Sequence, residues 1–186
     1  RSQLSARESG AILPWPEIER AYESRRPEIG ADSEVGLLLD WLLADPRGFP
    51  PKRLDFGAVL LVRTRDRGDA AAARAPVSRD FLAIHPSLPT SELHLRSYKT
   101  HVHYGEFVQT VPPAVTAAVV RFMSARGWRR WLFCTSDGRT LSPGALGHRI
   151  SSAMRQLTGV PIGASNLRKS FVTSALTDPR ISAGEL

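Results

Sequence analysis

The chain has 186 residues with 42% apolar and 23% charged side chains, enough apolar mass for one packed domain and too much for a disordered chain. No apolar run reaches the roughly 20 residues of a membrane-spanning helix, and the single cysteine, Cys134, excludes a disulfide framework and a cysteine-based zinc site. The 25 basic and 18 acidic residues leave a net charge of +7, which favours a polyanionic partner.

Three of the basic residues are lysines (Lys52, Lys99 and Lys169) and the rest are arginines. A lone cysteine fits an intracellular, reducing compartment.

Residues 1–13 read as a polar arm, and Pro14-Trp15-Pro16 opens a short packing helix over 17–25. Ser33 is a good N-cap for a helix over 34–44 with a broad leucine-rich face, and the prolines and glycine of 45–51 end it. Apolar residues surround the axis of a third helix expected over 52–63, which marks it as buried. Residues 64–80 read as a surface loop.

Strands are expected at 81–84, 92–98 and 105–111, the last two forming a hairpin with Lys99 in its turn. Pro112-Pro113 starts a helix that stops at Gly127, and 131–134 is a candidate strand. Ser142 caps a helix to about 157, ended by Gly159, and Ser165 caps a last helix over 166–176. The fold class expected is α+β, mostly helical with a small antiparallel sheet. Residues 1–32 form an arm and short helix, and 33–186 the main domain.

Arg168 is the most informative position. At about 100° per residue from Leu167 it falls between Ala175 and Val172, within the expected apolar arc. A buried guanidinium needs a counter-charge, and the first turn of a helix favours an anion. Arg168 and the helix start could therefore grip one phosphate. An internal ion pair with Asp55 or Asp178 is the alternative. Lys52 and Arg53 repeat the pattern at the start of the expected buried helix, with solvent exposure as the competing reading. Lys99 could reach a bound phosphate and protonate a departing oxygen, although most hairpin lysines are merely solvated.

His101 and His103 would share a face of an extended segment, but no further ligand stands at zinc spacing, so no metal is expected. His85, His94 and His148 have no partner identifiable from sequence. Phosphate-loop, nucleophile-elbow, zinc-protease and dinucleotide fingerprints are absent from the sequence.

Three stretches taken in order resemble the catalytic domain of tyrosine recombinases, the phage-integrase-like enzymes, in the version found in large viruses and retroelements. Pro50-Pro51-Lys52-Arg53-Leu54-Asp55 resembles the segment with the family's first arginine. The hairpin around Lys99-Thr100 resembles the family's lysine hairpin, and the proline-started helix and Trp131-Leu132-Phe133 resemble the helix and strand that succeed it. Leu167-Arg168-Lys169-Ser170-Phe171-Val172-Thr173 resembles the box with the second arginine.

The resemblance covers about 33–176. It implies site-specific DNA recombination or integration without metal or other cofactor. Arg53 (or Lys52) and Arg168 would clamp the phosphodiester, and Lys99 would act as the acid. Ser165 stands where the family usually has a histidine and joins the phosphate-binding set. The partner implied is nucleic acid, DNA ahead of RNA, with no membrane; self-association or a larger assembly is left open.

Two departures bear on catalysis. The acidic residue expected three positions after the first arginine is Asp55, which points back to Lys52. Tyr22, Tyr98 and Tyr104 all precede Arg168, so none matches the family's nucleophile, and the expectation is a domain without its nucleophile segment. The alternative is a degenerate recombinase fold serving as a nucleic-acid-binding or structural module. An unrelated basic domain is the third reading.

Overall fold

A computed structural model describes residues 12–51, 54–64, 79–85, 87–96 and 105–177. Helix α1 (Trp15–Arg25) starts on Pro14 and Pro16, and a short 3-10 turn over Arg26–Glu28 succeeds it. Helix α2 (Glu34–Leu43) is capped by Ser33, whose hydroxyl accepts from the Gly36 N–H at 2.9 Å. Strands β1 (Leu60–Arg63), β2 (Phe81–Ile84), β3 (Ser91–Leu95) and β4 (Phe107–Val111) come next. Helices α3 (Pro113–Arg126), α4 (Pro143–Thr158) and α5 (Ala164–Thr177) are the last elements of the described residues. The fold is α+β, with more helix than strand.

The sheet has the order β1-β2-β3-β4. The expected β3–β4 hairpin is present, with Glu92 opposite Thr110 and His94 opposite Val108. The sheet is mixed rather than antiparallel, because β1 runs parallel to β2. That strand lies within 52–63, where the sequence predicts a buried helix. Instead, a 3-10 helix spans Leu54–Ala58 and a strand takes Leu60–Arg63. An apolar run buried on both sides fits either state, and its periodicity cannot decide. Lys52 and Arg53 therefore have no long helix behind them, and the dipole reasoning for these two cations falls.

The segment expected as a strand at 131–134 forms only isolated bridges, Leu60 with Trp131 and Cys134 with Thr140. It lies along the outer edge of β1: the Leu61 N–H donates to the Arg130 carbonyl and the Leu132 N–H to the Val59 carbonyl, both at 2.9 Å. The edge is thereby covered against pairing with another chain.

The helices share one core with one face of the sheet. Trp15, Ile18, Leu37, Trp41, Val119, Ile150 and Leu167 are buried together with Leu82, Ile84, Leu93 and Leu95. Trp15 of α1 meets Phe171 of α5 edge-on at 5.1 Å, so the helix of the 1–32 segment shares the core of the rest. A smaller cluster of Leu60, Phe81, Ala83, Trp131 and Cys134 covers part of the sheet's other face.

A buried ion pair ties the 3-10 turn after α1 to α2. Asp40, 4% exposed, accepts from Arg26 Nε and Nη2 at 2.6 Å each, from the Tyr22 hydroxyl at 2.7 Å and from Arg121 Nη2 at 3.1 Å. Arg26 also donates to the Ile29 carbonyl at 2.6 Å. Four donors around one carboxylate meet the condition under which a buried charge is tolerated.

Candidate nucleic-acid interface

The sheet register gathers four strand ends. Leu60 pairs with Phe81, Phe81 with His94, and His94 with Val108. The start of β1, the start of β2 and the turn end of the β3–β4 hairpin therefore lie at one end of the sheet. Asp80 joins three of them, since its carbonyl accepts from the Leu60 N–H at 2.9 Å and its buried carboxylate from the Arg96 N–H at 2.5 Å. Strands β1 and β3 are two strand spacings apart, about 10 Å.

Lys52, Arg53 and Lys99 lie outside the described residues, as do Tyr98, Tyr104, His101 and His103. Their described neighbours, the 3-10 helix Leu54–Ala58 on one side and Arg96 and Gly105 on the other, flank this end of the sheet.

A polar cluster braces the hairpin root. Glu106 accepts from Arg96 Nε at 2.8 Å and stands 2.8 Å from His94 Nδ1. An ionised carboxylate only accepts, so His94 carries a proton on Nδ1 while Glu106 is charged. The His94 ring stacks on Phe81 at 4.3 Å, and Arg96 sits over the same ring at 4.9 Å. Partial burial works against the Glu106 charge, but the hydrogen bonds from Arg96 and then His94 outweigh it and hold its pKa below the usual carboxylate value. Strand alternation carries His94 and Arg96 onto this face. Glu106 could be found only from the strand pairing.

Arg168 is exposed and not buried. The buried positions of α5 are Ala164, Leu167, Ser170, Phe171 and Ala175. Their arc is narrower than the apolar pattern suggests: Val172 is half-buried and Leu176 is 68% exposed, which leaves Arg168 at the rim. Among the described residues Arg168 has no hydrogen-bond or ion-pair partner. Asp178 and the Asp55 side chain lie outside the described residues. Lys169 beside it is also exposed.

Ser165 is not the N-cap. Helix α5 begins at Ala164, the Leu167 N–H donates to the Gly163 carbonyl at 2.9 Å, and Ser165 stands exposed in the first turn. The earlier start moves Arg168 and Lys169 out of the first turn, to the fifth and sixth residues of α5; at three and four positions from Ser165 they still form one exposed strip of a hydroxyl, a guanidinium and an ammonium, a set suited to binding an anion.

Tyr22, the one tyrosine among the described residues, is committed to Asp40. Its burial, and then the Asp40 hydrogen bond and charge, raises its pKa well above the ordinary phenol value. That suits a structural donor and not a nucleophile. No group of three potential metal ligands occurs among the described residues, and no helix among them is long and apolar enough to cross a membrane. Comparison with protein-family models, curated proteins and solved structures finds no match for this chain.

Proposed function

We propose that this chain is a tyrosine-recombinase-like domain that binds the DNA backbone, with Arg168 and its helix start holding a phosphate. The observation that carries the reading is the exposed guanidinium of Arg168, the fifth residue of α5, which stands beside Ser165 and Lys169 with no partner among the described residues. Supporting it are the match of the α5 sequence to the second-arginine box and the arrival, at one sheet end, of the segments flanking Arg53 and Lys99. Lys52 or Arg53 would share the phosphate, and Lys99 would protonate the departing 5′-oxygen if strand cleavage occurs.

Cleavage by the family's route also needs a tyrosine nucleophile. Lys52 in place of the family's first arginine and Ser165 in place of its histidine favour the second form of the same reading, a module that binds without cutting.

The test is Arg168→Ala in a duplex-DNA binding titration at several salt concentrations. Because the side chain is exposed, unfolding should change by no more than about 0.5 kcal/mol. Affinity should fall, and the slope of log K against log salt should flatten by about 0.9 for one lost phosphate contact. Unchanged affinity, or binding and stability lost together, contradicts the proposal.

A further inference from the structure

The covered edge of β1 carries a second basic surface, built from different elements. The segment after α3 runs antiparallel to β1, with Trp131 bridged to Leu60 and the Arg130 carbonyl bonded to the Leu61 N–H. This pairing sets cations over indoles. Arg63 lies over the Trp128 ring at 5.1 Å from its centroid; Arg79 and Arg130 lie over the Trp131 ring at 5.5 and 5.2 Å.

The three guanidiniums are exposed, and none has a carboxylate partner among the described residues. Asp80, next to Arg79 in sequence, is 4% exposed and engaged by the Arg96 N–H. Trp131 is buried, but Trp128 is 38% exposed, one of few large apolar side chains so exposed. Leu60 to Arg63 spans about 10 Å at about 3.3 Å per residue.

We infer that this edge binds an unpaired nucleic-acid strand, with phosphates on Arg63, Arg79 and Arg130 and a base stacked on Trp128. Cations held flat over indoles keep their donors free while losing little side-chain freedom on binding. An acidic peptide would use the arginines but leave the indole idle. In a duplex, base faces are already stacked on one another. An unpaired strand uses both features. The surface does not depend on the phosphate clamp at Arg168, and either can fail alone.

The test is a fluorescence titration of the full chain with oligothymidylate and oligouridylate, which separates DNA from RNA, against polyglutamate as an acidic polypeptide. Tryptophan emission should quench on binding of the oligonucleotides. Trp128→Ala should weaken binding about tenfold, within the roughly 5- to 150-fold range of one lost base stack, while Trp128→Phe keeps most of it. Arg63→Gln/Arg79→Gln/Arg130→Gln should flatten the log–log salt slope by about 2 for single strands. Circular dichroism and melting should match wild type for every variant, and Arg168→Ala should leave this binding within about twofold. No oligonucleotide binding by wild type, wild-type affinity in Trp128→Ala, or polyglutamate binding with the same loss in Trp128→Ala overturns the assignment.

Discussion

Asp40→Asn probes the brace that holds the helices in register. Asparagine keeps the acceptor that meets Arg26 Nε and the Tyr22 hydroxyl, at 2.6 and 2.7 Å. It replaces the other oxygen with an amino group facing Arg26 Nη2 and Arg121 Nη2, which stand at 2.6 and 3.1 Å. Donor then faces donor, and the Arg26 side chain, 10% exposed, becomes a buried charge without a counter-charge. Breaking one side of such a pair costs about 3–5 kcal/mol, a large share of the roughly 5–15 kcal/mol that keeps a domain folded. In urea, monitored by tryptophan fluorescence, the midpoint should drop by about 1.5–2.5 M for a slope near 2 kcal/mol per M. Removing both charges with Arg26→Leu/Asp40→Leu should cost less than Asp40→Asn alone. A loss under about 1 kcal/mol for Asp40→Asn would refute the reasoning, because it would mean the pair is solvated. The brace bears on function through packing: it fixes α1, and Trp15 of α1 rests on Phe171 of the helix that carries Arg168.

Tyr22→Phe should cost about 1 kcal/mol for its lost hydrogen bond. It should also remove a pH effect of definite sign. The folded phenol is raised above its ordinary value of 10.0, so its stabilisation is fully present below about pH 10 and is lost as pH rises toward the folded value; urea unfolding across that range should slope downward in wild type and less so in the variant. Gly57→Ala would place a Cβ 2.9 Å from the Leu141 carbonyl oxygen just before α4. Moving that backbone should cost about 1–3 kcal/mol in a thermal or urea melt. Glu106→Gln should weaken the hairpin root. The wild-type carboxylate has a lowered folded pKa, so its contribution is present above the ordinary carboxylate range and lost as pH falls through the folded value; the variant should lack that acid dependence in hydrogen exchange of the β3–β4 amides.

Much of the architecture is legible in the residues because local signals agree. Ser33 and Ser142 accept from the N–H three residues on, Gly159 ends α4 with a positive φ of 82°, and Pro113 starts α3. The β3–β4 hairpin is legible from strict alternation. Strand β1 is not, because an apolar run packed on both sides has no polar face to betray its period. The exposure of Arg168 is hidden for a related reason: a helical projection ranks residues by type, whereas burial depends on how far α1 and α4 reach around α5. The Asp40–Arg26 pair, Glu106 at the hairpin root and the Arg130–Trp131 cover of β1 are pairings between separate segments, and no local pattern carries them.

The clamp itself is best tested by a double-mutant cycle on duplex-DNA affinity, using wild type, Arg168→Ala, Lys99→Ala and the double variant at one low salt concentration. If both cations serve one phosphate, the effects should depart from additivity by about 0.5–3 kcal/mol. Additivity within about 0.3–0.5 kcal/mol would place the two side chains on separate parts of the ligand and contradict a shared site.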